Sequence, residues 1–403
     1  MKKEVTFKVK DKFVNKYKSG YPLISKEAIV NLNEAIEEGT IIRLVDEKNK
    51  FIAKGYFGKQ NKGYGWVLSR SENEMIDQGF FLNKMRDAIR YREPFYKSED
   101  TNAFRIVNGE GDGLGGLTIE YFDGYYLINW YSKGIYHFRD YIINVLKELT
   151  TFKAIYQKKR FDVSGKYIEE DDFVTGERGT FPLIVKENGV NFAVYLNESA
   201  MVGVFLDQRD VRKKIRDAYA DGKNVLNTFS YTGAFSVFAA LGGAIKTTSV
   251  DVANRSLSKT KEQFQLNGLD IESQDIIVED VFHYFKYAVK KQLSFDMVIL
   301  DPPSFARTKK MVFSAEKDYK NLLMEAIAIT KDEGIIVAST NSSAFNMNKF
   351  KSFIDQAFQE KNRTYQLVDE FSLPKDFKTI KEFPEGNYLK VVFIKNMPYE
   401  KGK

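Results

Sequence analysis

Five short stretches of this 403-residue chain put chemically useful side chains where β-strands should end. NTFSYTGAF sets Asn227, Thr228, Ser230, Tyr231 and Thr232 just ahead of Gly233, which should open a helix. A second strand should end in Asp251, 18 residues beyond Gly233, and a third in Glu279-Asp280. A fourth ends in Asp301-Pro302-Pro303, with Phe305 close behind, and a fifth in Ser339-Thr340-Asn341. In an open parallel sheet, ligands bind at the carboxyl ends of the strands, so these groups are predicted to line one site. A carboxylate at the spacing of Asp251 can accept both hydroxyls of a ribose. The first turn lacks the G-x-G-x-x-G pattern that admits a pyrophosphate, so a dinucleotide fits poorly. An adenosine-bearing cofactor without phosphates fits better, and S-adenosylmethionine is the obvious one, with Asp280 meeting the adenine amino group. The alternative for Asp251 and Asp280 is that each caps the next helix.

Asp301-Pro302-Pro303 reads as a stiff corner, because proline fixes its own backbone and restricts the residue before it. Carbonyls and a carboxylate would then aim at one point while Phe305 stacks on a planar ring. Such a corner suits a nucleobase nitrogen held beside a methyl donor. A plain strand terminator is the other reading.

The elements that must position these groups can be read from periodicity. From Lys223 onward strands and helices alternate strictly, as in a parallel sheet. Strands are predicted at KNVLNTF, KTTSVD, QDIIVED, FDMVILD and GIIVAST, with TYQLVDEF and YLKVVFIKN finishing the sheet; helices fall between. Ahead of this, Thr40–Gly58 alternates apolar and polar residues about DEKNK, a hairpin pattern. Helices are predicted over Asn73–Arg92 and Tyr136–Leu149, with FRIVNGEGDGLGGLTIEYFDGYYLINWY supplying two strand-like runs about a glycine-dense turn. The predicted organisation is a β-rich module over 1–72, an α+β segment over 73–190 and a Rossmann-like α/β domain over 191–403.

Composition narrows the chemistry. With no cysteine and only His137 and His283, thiol nucleophiles, thiolate metal sites and a Ser-His-Asp triad are set aside, and no metal is expected. No apolar run approaches a membrane span and MKKEVTFKVK has no signal-peptide core, so the expectation is a cytoplasmic protein. The net charge of +6 is concentrated: residues 1–70 hold 15 Lys+Arg against 8 Asp+Glu, and seven lysines lie between Lys2 and Lys18. Interleaved with Phe7, Phe13 and Tyr17, they read either as a phosphate-contacting surface or as a solvated basic arm.

LDPPSF resembles motif IV of class I SAM-dependent methyltransferases. Nearly the whole chain is similar to bacterial large-subunit rRNA methyltransferases with an N-terminal PUA domain. SGYPLI and IRLVDEKNKFIAKGYF resemble the PUA module, and GVFLDQRDVR, LNTFSYTGAFSVFAALGGA, SVDVANRSL, LDPPSFARTKK and FPEGNYLK resemble the catalytic domain in order and spacing. The resemblance implies a seven-stranded, mostly parallel sheet, S-adenosylmethionine as cofactor and rRNA as partner, docked through the basic module; relatives imply a homodimer. It makes Asn227, Phe229, Ser230, Tyr231, Thr232 and Gly233 a wrap for the methionine end, Asp251 the ribose site and Asp280 the adenine site. Asp207, Gln208 and Arg209 become a lip of the site, although an Asp207–Arg209 ion pair is an equal alternative. Asp301, Pro302, Pro303, Phe305 and Asn341 become the catalytic corner. Family members that make 5-methylcytosine use a cysteine in the loop after the fifth strand, where this chain has Asn341; an amide cannot form that adduct. Direct N-methylation, with guanine favoured over cytosine, is therefore the expected reaction. Cytosine C5 methylation and a non-catalytic RNA-binding assembly factor are the alternatives.

Overall fold

The computed structural model describes residues 4–31, 35–60, 63–161, 168, 170–198, 201–307 and 312–398. Lys2 and Lys3 of the lysine run, and the last three residues of LDPPSFARTKK, lie outside these. The chain divides into two compact units: Met1–Glu187 with Val194–Val202 and Lys375–Gly386, and Asn188–Ala193 with Gly203–Pro374 and Asn387–Lys403.

In the first unit β1 (Glu4–Lys8), β2 (Ile41–Val45), β3 (Phe51–Gln60) and β4 (Gly63–Ser69) lie side by side in that order, β1 parallel to β2 and the rest antiparallel. Helix α1 (Asp11–Lys18) follows β1. The basic start is thus a folded surface: Phe7, Val9, Val14 and Tyr17 are buried while Lys12, Lys16 and Lys18 stay exposed. Helix α2 (Gln78–Tyr91) starts five residues later than its periodicity predicts, because the Asp77 carboxylate accepts the Phe80 N–H and caps it there. A short α3 (Glu93–Tyr96) follows.

The second sheet runs β5 (Ala103–Asn108), β6 (Leu117–Phe122), β7 (Tyr125–Trp130), β8 (Ala154–Lys159) and β9 (Phe173–Gly176), with only β7 and β8 parallel. Three strands stand where two are predicted by the glycine-dense run. Asp123 (φ 47°) and Gly124 (φ 89°) make a two-residue hairpin turn that splits the later run into β6 and β7. The helix expected over Tyr136–Leu149 is two, α4 (Lys133–Tyr136) and α5 (Arg139–Leu149). The distant segment Lys375–Gly386 joins this unit through buried Arg92, which forks onto Asp112 at 2.6 and 2.8 Å and donates to the Asp376 carbonyl. One apolar cluster runs from Phe7 through Phe81 and Ile128 to Phe383.

β10 (Leu183–Glu187), β11 (Val190–Val194) and α6 (Arg209–Lys214) lead into the main sheet of the second unit. Its elements are β12 (Asn224–Thr228), α7 (Ala234–Leu241), β13 (Lys246–Asp251), α8 (Arg255–Leu266), β14 (Asp275–Val278), α9 (Val281–Lys290) and β15 (Phe295–Leu300). A small hairpin, β16 (Phe305–Arg307) and β17 (Val312–Ser314), precedes α10 (Ala315–Ile329), β18 (Thr330–Thr340), α11 (Met347–Glu360), β19 (Thr364–Phe371) and β20 (Lys390–Met397). The strand order is β14-β13-β12-β15-β18-β20-β19, the expected seven-stranded sheet, parallel except for β20 against its two neighbours. Side chains alternate faces along each strand. Leu226, Val298, Leu300, Ala338 and Val392 pack toward α9, α10 and α11. Val225, Met297, Ile299, Val337 and Val391 pack toward α6 and α7. Chain order reverses between β12 and β15, which opens a crevice at their carboxyl ends.

Candidate active site

β12 leaves the sheet through a tight loop in which Phe229 (φ 54°), Tyr231 (φ 52°) and Gly233 (φ 77°) are all left-handed. Two non-glycine residues in that region are strained and persist only where the surroundings hold them. Here the Ser230 N–H donates to the Val250 carbonyl (3.1 Å), the Gly233 N–H to the Ser230 carbonyl (2.7 Å) and the Thr232 hydroxyl to the Gly203 carbonyl (2.7 Å). A Cβ at Gly233 would sit 2.5 Å from Thr260 Cγ2 on α8. Gly233→Ala is therefore expected to destabilise the fold by on the order of 1–3 kcal/mol, which denaturant melts would read.

Asp251, at the end of β13, is more than a helix cap. One oxygen accepts the Tyr231 N–H and the other the Ala253 N–H, both at 2.9 Å, so this carboxylate braces the strained loop. Asp280 does cap its helix, with Oδ1 accepting the His283 N–H at 3.1 Å. It lies at the edge strand β14, with β13 and β12 between it and β15.

Asn227 is buried at the end of β12, its Nδ2 donating to Ser236 Oγ (2.9 Å), which is hydrogen-bonded to Ser249 Oγ. Its Oδ1 has no partner among the described residues. Buried Gln208 shows the same pattern: Nε2 donates to Asp301 Oδ1 (3.0 Å) and Ser339 Oγ (2.7 Å), while Oε1 is unpartnered. Burying an unsatisfied acceptor is costly and marks a place where a ligand donor fits. Each of these two amide oxygens could accept a hydrogen bond from an amine.

Asp301 is half-buried at the end of β15. Burial, with Asp207 nearby, pushes its carboxyl up to about 6 against the opposing pull of Ser339, Arg212 and Gln208. Pro302 is buried and Pro303 exposed. Phe305 opens the β16–β17 hairpin and is 61% exposed, so its ring is free to face a ligand. Asn341, just past β18, is exposed; its Oδ1 accepts the Ser304 hydroxyl, which leaves the amide N–H groups available. β15 and β18 are neighbours, so Asp301, the proline corner and Asn341 stand together. Arg209 is buried at the start of α6, and Asp207 Oδ2 accepts the Tyr388 hydroxyl at 2.9 Å.

Several supporting groups carry no signature in the sequence. Tyr388 and Lys390 lie in FPEGNYLK, which carried no assigned chemistry. Arg212 holds the Phe205 carbonyl at 2.7 Å, and the Tyr319 hydroxyl donates to the Ser339 carbonyl at 2.6 Å. Tyr388, on Asp207, and Tyr319, on Ser339, act across elements distant in sequence, so local spacing does not mark them. Among the described residues no group of His, Asp or Glu could hold a metal ion, and no helix is long and apolar enough to cross a membrane.

Residues 106–385 match a family described as S-adenosylmethionine-dependent methyltransferase, and residues 7–70 match a PUA-like domain. YwbD of Bacillus subtilis (strain 168), provisionally named a ribosomal RNA large subunit methyltransferase, is 64% identical over 381 residues, covering 94% of this chain and 96% of that protein. Ribosomal RNA large subunit methyltransferase I of Yersinia pseudotuberculosis is 30% identical over 374 residues, 92% of this chain and 94% of the relative. A crystal structure of a provisionally assigned methyltransferase complexed with SAH matches with a TM-score of 0.90 at 36% identity, covering 97% of this chain and all of the other.

Proposed function

Because the chain belongs to the S-adenosylmethionine-dependent methyltransferases, we propose that it methylates a base of large-subunit ribosomal RNA at a nitrogen, with guanine the favoured base. When bound, S-adenosylmethionine supplies an electrophilic methyl group on a sulfonium. The orphan acceptors of Asn227 and Gln208, with Phe229, Ser230, Tyr231, Thr232 and Gly233, would hold its methionine end. Asp251 would hold the ribose and Asp280 the adenine, with Arg209 behind the lip formed by Gln208.

The observation that carries the reading of the product is the placement of Asp301 and Asn341 just past the ends of two adjacent strands, in a chain without cysteine. An acceptor beside an amide donor matches the edge of guanine, whose donors adjoin a carbonyl. Phe305 offers a stacking face, and the Pro302-Pro303 corner keeps the base from tilting. A ring or amino nitrogen needs alignment rather than a covalent nucleophile, and alignment is what these groups provide. Cytosine C5 methylation through a protein adduct would require a nucleophile that neither the sequence nor the two histidines supply. Purified protein given radiolabelled S-adenosylmethionine is expected to label protein-free large-subunit rRNA; no label in any rRNA would remove the proposal.

Residues 1–72, 73–190 and 191–403 are the proposed functional divisions, the first docking RNA, and a cytoplasmic homodimer is the proposed working species. The name of YwbD and the PUA-like match of residues 7–70 support RNA as the partner. Because one apolar cluster extends from Phe7 to Phe383, deleting the module would expose core, and charge substitution is the cleaner test. Replacing exposed Lys12, Lys16 and Lys18 with serine is expected to leave S-adenosylmethionine binding intact. It should flatten the salt dependence of RNA affinity by about 0.7–0.9 in log–log slope per lost phosphate contact. Superimposable slopes would make the lysines merely solubilising.

A further inference from the structure

The strand at the far side of the site begins with a buried lysine. Lys390 is 5% exposed; its Nζ donates to the Tyr388 carbonyl at 2.7 Å and lies 5.6 Å from the centre of the Phe345 ring. Burial lowers it to about 8, and among the described residues no charged neighbour offsets that shift. An ammonium carries three donors and a strong hydration shell, and one carbonyl with a ring face replaces only part of that. Buried charges are ordinarily paired, so a lysine kept here without a carboxylate is an anomaly that calls for a ligand.

Its place in the sheet says which ligand. β20 is antiparallel to β18 and Lys390 stands opposite Thr340, so the two side chains share a face at the edge of the sheet that carries the site. Val392 and Ile394 continue that face into the apolar layer under α10 and α11, so an ammonium replaces an apolar side chain at the position nearest the site. Phe345 belongs to the loop that starts at Asn341, which puts Lys390 beside the loop presenting that amide. Strands β12 and β13, with Asn227 and Asp251, lie on the other side of β15. A base presented to Asp301 and Asn341 brings its own backbone with it, and the cofactor side of the crevice is already committed.

We propose that Lys390 belongs to an anion subsite that receives a phosphodiester of the RNA strand carrying the target base. The proposal rests on the reading of RNA as the substrate. The missing counter-charge arrives with the substrate, so the buried ammonium favours the bound state over the free one. Lys390→Met keeps a stem of similar length and removes the charge together with its desolvation cost. Lys390→Gln is a second neutral variant, and melts report whether each is folded. Binding of a large-subunit rRNA transcript across a salt series is expected to weaken about tenfold in the neutral variants at low salt, with the log–log slope reduced by about 0.7–0.9. Lys390→Arg should restore both, and calorimetry should give unchanged affinity for S-adenosylmethionine. Neutral variants that match the parent in affinity and slope would overturn the proposal, leaving Lys390 a tether for Tyr388. Loss of S-adenosylmethionine affinity with RNA binding intact would overturn it too, by assigning the ammonium to the cofactor carboxylate. A parent protein that neither binds nor methylates the transcript would bring down the substrate reading itself.

Discussion

Asp301→Asn is expected to give a protein that melts higher than the parent at about pH 8 and transfers methyl groups at least about a hundredfold more slowly. The Asp301 carboxyl is raised to about 6, chiefly by burial and then by Asp207. A group whose native pKa is raised holds its proton more tightly folded than unfolded. Its contribution therefore favours the native state below the ordinary carboxyl range and is lost as pH rises through about 6. Above that, the ionised carboxyl destabilises the fold by on the order of 2–3 kcal/mol, which asparagine removes while still accepting from Gln208 Nε2. Activity should run in the opposite direction, because the role proposed for Asp301 is that of a charged acceptor. The parent's rate should fall as pH drops through about 6, and the variant should be slow throughout. Thermal melts beside methyl-incorporation rates across that range read both halves. A variant less stable at high pH, or one as fast as the parent, contradicts the role assigned to Asp301.

Asp251→Ala should weaken S-adenosylmethionine binding by about 30- to 150-fold, the equivalent of 2–3 kcal/mol for hydrogen bonds to a charged group. Two effects add. On the role proposed for Asp251 the ribose loses its acceptor, and the Tyr231 and Ala253 N–H groups lose theirs, which loosens the left-handed loop of Phe229–Gly233. Asp251→Asn separates them: one amide oxygen can still brace the loop, while the charge at the ribose is gone. Calorimetry with melts as the folding control should rank the parent tightest, asparagine next and alanine last. Parent-like affinity in a folded alanine variant would remove Asp251 from the cofactor site.

The parallel sheet was legible because its strands are apolar runs punctuated by Gly242-Gly243 and Asn267-Gly268, and because each ends in a polar group that a buried strand would not otherwise tolerate. That same logic located Asn227, Asp251, Asp301 and Asn341 at strand ends. Asp280 stood open between a ligand site and a helix cap, and its bond to the His283 N–H is the cap. At β1 and α1, the lysines between Phe7, Val9, Val14 and Tyr17 hide the apolar spacing, so charge alone could not tell a folded surface from an arm. The β16–β17 hairpin is three residues a side, too short for alternation to show. The attachment of Lys375–Gly386 to the first unit includes Arg92 meeting Asp376 and Asn108 meeting Lys378 across about 270 to 284 residues, contacts no local pattern encodes.

A base nitrogen of large-subunit rRNA is the proposed methyl acceptor. Nucleoside mass spectrometry of large-subunit rRNA from cells with and without this protein addresses it most directly. One N-methylated guanosine is expected to disappear with the protein and to return with the parent gene but not with Asp301→Asn. Loss of 5-methylcytidine instead, or an unchanged set of modified nucleosides, would contradict it.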